Sequence, residues 1–189
     1  MKKHIIAMGL MATASVSGIA QAADYTIDTK GAHASINFKV DHLGYSFIKG
    51  RFNTFDGTFS YDPQNLSASK VQVNVDTTSL DSNHAERDKH LRSADFIDAG
   101  KFSTATFTST KVEPKGNGEM TIFGELSLHG QTKPIAIDAQ FIGEGEDPWG
   151  GYRAGFTGTT RIEFKDFGIQ VMGSSSYADI ELHVEGIRQ

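Results

Sequence analysis

The chain has 189 residues, 38% of them hydrophobic and 22% charged, with a formal charge of −5, four Pro and no Cys. This is the composition of a single globular domain, and it excludes a disulfide framework, a thiol nucleophile and an acylated N-terminal cysteine. The acidic surplus argues against a nucleic-acid partner, because phosphate binding rests on clustered Lys and Arg.

In chain order, Lys2, Lys3 and His4 lead into an apolar run, Ile5 to Ile19, followed by Ala20-Gln21-Ala22. This reads as a secretory signal peptide cleaved after Ala22. The run is shorter than the roughly 20 residues a spanning helix needs, and no other segment approaches that length, so stable insertion in a membrane as a helix is not expected. The expected domain is then 23–189. Loss of Lys2 and Lys3 lowers the 18 basic residues to 16 against 23 acidic ones, a charge of −7. The basic start of the leader points to a bacterial periplasm.

From residue 24 onward the dominant period is two, the signature of strands with one apolar face. A short stretch, Tyr25 to Ile27, comes first. Ala34, Ile36, Phe38 and Val40 then alternate with polar residues, as do Phe55, Gly57, Phe59 and Tyr61 before the Asp62-Pro63 turn. Val71, Val73 and Val75 repeat the pattern. Residues 82–96 break it: Asn83 and Glu86 fit a capping box, Asp88 and Arg92 fit an i,i+4 ion pair, and a short helix is expected there. Strand period resumes at Ala105 and Phe107. Met120, Ile122, Gly124, Leu126 and Leu128 alternate next, followed by a His129-Gly130-Gln131-Thr132 turn and by Ile135, Ile137, Ala139 and Phe141. Residues 119–142 thus read as a hairpin. DPWGG at 147–151 reads as a loop, and two long strands follow, through Ala154 to Phe164 and Ala178 to Val184. Eight or nine alternating strands with short connections imply an all-β antiparallel meander, and a barrel is the way to hide its edges.

Small residues stand among large ones on the inward parity: Gly57, Ala105, Gly124, Ala139 and Gly158. A barrel of about eight strands is wide enough either to be filled by side chains or to hold one small ligand. The glycines favour a cavity; the competing reading is that they relieve strand bending while their neighbours fill the core. On the cavity reading, Gly124→Leu is expected to fill the space without unfolding the protein. A polar head group at the mouth would need donors, for which His42, Tyr45, His84, Arg87, Asp88 and Arg92 are candidates.

Nothing in the chain asks for catalysis. It has no GxSxG elbow, no phosphate loop and no HExxH run. His84, Glu86, Asp88 and His90 alternate, but on a helix two residues advance the face by about 200°, so the four do not converge on one ion. No metal and no cofactor is expected. An outer-membrane barrel has the same parity with its faces inverted; the scarcity of Trp and Tyr against 13 Phe argues against it.

The stretches HLGYSFIKGRFNTFDGTFSYD (42–62), VDTTSLDSNHAERDKHLRSADFID (75–98), ATFTSTKV (105–112) and GELSLHGQTKPI (124–135) resemble the YceI-like family, in order and across 24–187. The leader and the segment 147–156 resemble its exported members. One departure is Ser103, where the family commonly has Pro. The resemblance implies an eight-stranded lipocalin-like antiparallel barrel with one short helix, holding a long-chain isoprenoid or similar amphiphilic lipid, with no catalytic residues. On this reading the chain lies against Phe38, Phe59, Val73, Phe107, Leu126, Ile137, Phe141, Phe156, Ile162 and Leu182, while His42, Tyr45 or Arg92 meets the head group. Binding, storage or transport is the expected role. The alternatives are an enzyme acting on a lipid held in the barrel and a ligand-free stress protein. A homodimer is compatible with an open barrel end.

Overall fold

The computed structural model describes residues 22–171 and 175–189. All but the last residue of the expected leader, 1–22, lies outside the described residues. The alternating segments pair into one antiparallel sheet of eleven strand segments. They are β1 (Ala23–Ile27), β2 (Ser35–His42), β3 (Ser46–Phe52), β4 (Phe55–Tyr61), β5 (Lys70–Asp76), β6 (Leu80–Asp81), β7 (Thr104–Gly116), β8 (Glu119–Leu128), β9 (Gln131–Glu146), β10 (Tyr152–Glu163) and β11 (Tyr177–Arg188).

Eleven segments make eight staves. β1 pairs with both β4 and β11, which closes the ring β1-β4-β5-β7-β8-β9-β10-β11. Three staves are broken in two. β1 and β2 lie end to end along β11, which meets Tyr25–Ile27 through Gly186–Arg188 and Ser35–Lys39 through Asp179–His183. β3 runs on into β4 after Asn53 and Thr54, and β5 into β6 through a 3₁₀ turn, Thr77–Ser79. The extensions β2, β3 and β6 raise one side of the barrel beyond the closed ring. The expected fold class, an antiparallel eight-stranded lipocalin-like barrel with one short helix, is the one formed.

Local chemistry sets the connections. Two-residue hairpin turns need positive φ at both central residues. Asn117-Gly118 (53° and 78°) and His129-Gly130 (51° and 72°) supply it, so the His129 turn is two residues long and Gln131 already belongs to β9. β3 was not evident from spacing: its inward set is Ile48, Gly50 and Phe52, while Phe47 on the other parity is exposed and blurs the alternation.

The helix, α1 (Ala85–Arg92), is shorter than the 82–96 window, and two of its expected contacts are replaced. Its cap is His84, whose Nδ1 accepts the Arg87 N–H at 3.2 Å; Asn83 sits outside in a left-handed conformation (φ 61°). Asp88 is buried and accepts from the backbone N–H (2.8 Å) and hydroxyl of Ser82, so it does not pair with Arg92. Arg92 donates to the carbonyls of Thr78 (3.2 Å) and Leu80 (3.0 Å), tying α1 to β6. A buried carboxylate needs such partners, and with two carbonyls available to Arg92 the local contacts win over an exposed i,i+4 pair worth a few tenths of a kcal/mol.

The break between β1 and β2 is pinned by one guanidinium. Arg153 donates to Asp28 (2.6 Å), Asp147 (2.7 Å) and Glu185 (2.5 Å), three carboxylates from three separate segments. The Arg153 hydrogen bond, with those from the Gly31 N–H and His33, holds the Asp28 carboxyl at about 2, below its ordinary 3.8. A carboxyl lowered in the folded state lends stability that is full above its unfolded pKa and is lost as the pH falls through the folded one. Stability is therefore expected to decline between about pH 4 and pH 2. In Arg153→Gln the thermal midpoint falls at neutral pH, and its gap from wild type narrows as the pH approaches 2; a melting series by circular dichroism reads both.

Candidate functional site

Inside the ring, the inward parities of all eight staves are apolar and do not fill the space. An inner chamber of about 220 Å³ runs between the walls, lined by side chains that include Ile27, Phe59, Val73, Ala105, Phe107, Ile122, Leu126, Ile137, Phe156 and Leu182. Towards the raised side lies an outer chamber of about 960 Å³, bounded by β2, β3, α1, the segment 94–97, the 3₁₀ turn Phe164–Phe167 with Gly168–Val171 beyond it, and the start of β11. Phe52, Leu128, Ile162 and Ile180 line both chambers, so the two are continuous. A strand of 12 residues is about 40 Å long, and at the usual tilt the wall stands about 30 Å tall.

The opposite end is sealed by aromatic rings. Tyr61 stacks on Phe141 (centroids 5.3 Å apart), and Phe156 meets Tyr61 (5.2 Å), Phe141 (5.4 Å) and Phe59 (5.5 Å) edge-on. Tyr25 stacks on Phe59 at 4.8 Å. Burial pushes the Tyr25 and Tyr61 hydroxyls up, so both stay neutral over the ordinary pH range.

The polar groups gather at the other end. Asp41, His42, Arg87, His90, Asp95, His129, Gln170 and Ser175 line the outer chamber. Several are already engaged in holding the walls. Ser175 donates to the Asp41 carbonyl, and His129 Nδ1 donates to the Phe167 carbonyl at 2.9 Å. Arg87 is oriented by Nε on the Ser82 hydroxyl (2.7 Å) and Nη2 on the Ser82 carbonyl (2.6 Å).

The sequence-selected residues fall in four groups. Phe59, Val73, Phe107, Leu126, Ile137, Phe156, Ile162 and Leu182 line the inner chamber, while Phe38 and His42 line the outer one. Phe141 lies in the aromatic floor, stacked on Tyr61. Tyr45 is 86% exposed on the β2–β3 turn, and Arg92 is turned to the carbonyls of Thr78 and Leu80; neither faces a chamber. Arg87 is among the mouth candidates that the sequence offers; His90, which stands out in sequence only within the alternating His84–His90 set, reaches the chamber wall because α1 lies over the raised side. Asp28, His33 and Glu185 also converge, yet Arg153 already neutralises the carboxylates, and the group is an ion-pair network on the outer face.

Of the inward glycines only Gly158 lines the inner chamber, as do Ala105 and Ala139; Gly57 and Gly124 do not. A Cβ on Gly124 would lie 2.5 Å from the Phe107 ring and 2.5 Å from the Thr108 carbonyl, and one on Gly57 would lie 2.5 Å from the Gln72 carbonyl. Gly50 is covered by Phe38 and Gly186 by Phe59 in the same way. Gly50, Gly124 and Gly186 are seats for aromatic rings, while Gly57 is closed off by Ile27 and the neighbouring strand. The space comes instead from the breadth of the ring between walls of medium-sized side chains. This corrects the expectation for Gly124→Leu.

A YceI-like domain model matches residues 25–186. The chain belongs to the YceI-like family. It is 72% identical over 189 residues to a UPF0312 protein of Vibrio cholerae, covering 100% of both chains. Among solved structures it is similar to BcnA of Burkholderia cenocepacia, with a TM-score of 0.76 at 18% identity over 84% of this chain and 98% of that one. It is also similar to a polyisoprenoid binding domain from Saccharophagus degradans implicated in plant cell wall breakdown, with a TM-score of 0.63 at 14% identity over 89% and 100%. At these identities the two likenesses show the shared barrel fold.

Gly124→Leu forces the Phe107 ring from its seat and costs about 3 kcal/mol. The thermal midpoint is expected to fall by roughly 5–10 °C, measured against wild type by calorimetry.

Proposed function

We propose that the protein is a carrier or store for a long-chain isoprenoid or similar amphiphilic lipid, exported to the periplasm behind its leader. The observation that carries this reading is the continuous pair of chambers: an apolar inner one sealed by aromatic rings, opening to a larger one where polar groups collect. An apolar chain buried there gains roughly 25 cal/mol per Å² removed from water, with no charged contact needed along its length. At the wider end His42, Arg87 and His90 are placed for a head group, and the Ser82 contacts keep Arg87 pre-oriented, which lowers the cost of binding. The polyisoprenoid binding named for the Saccharophagus degradans domain, which shares the barrel, supports the choice of cargo. The reading is of a binding protein: among the described residues the lining of the inner chamber is almost wholly apolar, with no paired nucleophile and base.

Native mass spectrometry of protein purified without detergent, followed by organic extraction, tests the proposal. A stoichiometric prenyl or long-acyl species, recovered chemically unchanged, is the expected outcome. An empty protein that also takes up no added lipid would sink the reading. Leu128 stands where the chambers meet, so Leu128→Trp is expected to keep short-chain ligands and lose long ones at least about tenfold, read by titration with a chain-length series.

A further inference from the structure

The β2–β3 hairpin carries apolar surface that the barrel leaves in solvent, and two of its side chains, Tyr45 and Phe47, line neither chamber. Its turn exposes three apolar side chains: Leu43 (53% exposed), Tyr45 (86%) and Phe47 (59%). On the inner face of the same hairpin, Val40 and Ile48 line the outer chamber, and Leu43 stands at its edge, half in solvent. The tip is therefore apolar on both faces, unlike an ordinary edge hairpin with one solvated side.

Turn chemistry does not account for this. Leu43 holds φ at 58° and Gly44 at 76°, with the Tyr45 N–H donating to the His42 carbonyl at 3.0 Å. Asn, Asp or Gly suits the first position better, and a leucine there carries about 1 kcal/mol of strain while about half of it remains exposed.

Charge on the hairpin is equally distinctive. Residues 35–52 contain Lys39, Lys49 and Arg51 against Asp41 alone, a balance of +2 in a chain of −5 overall. Lys39 and Lys49 are direct cross-strand partners, an arrangement that opposes pairing. Lys39 reaches Asp179 at 3.3 Å and lies over the Phe47 ring at 4.9 Å. Asp41 caps the turn by accepting the Gly44 N–H at 2.9 Å, and Asp81 is the cross-strand partner of Arg51. Among the described residues, Lys49 and Arg51 have no carboxylate within salt-bridge distance. Basic residues on an edge strand deter edge pairing, but that role does not call for a leucine and two aromatic rings at the tip.

We infer that the β2–β3 hairpin docks the barrel on an anionic lipid bilayer, with Leu43, Tyr45 and Phe47 entering the interface and Lys49 and Arg51 meeting acidic head groups. Aromatic and aliphatic side chains beside basic ones are the chemistry of an interfacial segment. The hairpin also forms one wall of the outer chamber, so docking sets the chamber mouth against the lipid surface. The inference rests on the lipid-carrier reading only for what passes through that mouth; docking itself is independent of cargo.

Flotation of the purified full chain with vesicles tests it, using phosphatidylcholine containing about a third phosphatidylglycerol, against phosphatidylcholine alone. Wild type is expected to float with the anionic vesicles and to be released by high salt. Lys49→Gln/Arg51→Gln should bind them roughly thirtyfold more weakly, at about fivefold per charge, with little change on neutral vesicles. Tyr45→Ser/Phe47→Ser should lose at least about tenfold on anionic vesicles, since each ring is a large interfacial anchor. Ile142→Ser, which removes an exposed apolar residue on β9 instead, should float like wild type. Circular dichroism melts establish that the variants are folded. Absence of wild-type flotation, equal flotation of the hairpin variants, or an equal loss in Ile142→Ser would each overturn the inference. So would a wild-type dimer in sedimentation that Tyr45→Ser/Phe47→Ser dissociates, which would assign the tip to a second copy. Because the vesicles need carry no cargo, a negative lipid extraction and a negative flotation are separable results.

Discussion

Closure of the ring through β1 is the constraint on which the rest depends. β1 is five residues long, yet it hydrogen-bonds to β4 on one side and β11 on the other and leaves the closed half of the barrel without a free edge. Once the sheet is closed, the apolar faces of eight staves point at one another across a fixed width. That width exceeds what valines, leucines and single aromatic rings span, and the inner chamber follows from it. The same closure forces the break between β1 and β2, because β11 is long enough to serve both while the chain must loop out between them. The loop is the site of the densest ion pairing in the described molecule, with Arg153 joining Asp28, Asp147 and Glu185. A buried or half-buried carboxylate costs several kcal/mol unless it is paired, so the guanidinium and its partners stand or fall together.

Much of this was legible in the residues. Period-two alternation located β2, β4, β5 and β7 to β11, and the Gly that follows His129 marked the β8–β9 turn. Eight of the ten apolar positions chosen by parity line the inner chamber, because a strand alternates without exception and the ring has only one inside. Other details were not legible, each for a physical reason. β3 escaped because Phe47 occupies the outward parity. The helix cap and the Asp88–Arg92 pair were read from local spacing, whereas Ser82, Thr78 and Leu80, brought in by β6, supply competing partners that no helical pattern contains. Parity could not show that Phe141 would stack on Tyr61 in the floor while its cross-strand partner Phe156 lines the chamber, since that depends on how the rings turn.

The glycines carry the sharpest instance. In sequence a small residue between two large ones suggests room. In the folded sheet Gly124 and Gly186 are the places against which Phe107 and Phe59 lie flat, so the smallest residues mark the tightest contacts. Sequence records the volume of a side chain, but the volume of a cavity depends on where the neighbouring rings turn. The chambers owe their space to Val73, Leu126, Ile137 and their neighbours, which reach only part of the way across.

The aromatic floor also sets a direction. Tyr61, Phe141 and Phe156 close one end of the barrel, so the molecule is a cup and not a pipe. For the carrier proposed above, a lipid that enters tail first would leave head first through the same rim, so exchange would be a one-for-one event there, its rate belonging to encounters at that rim instead of passage along the interior.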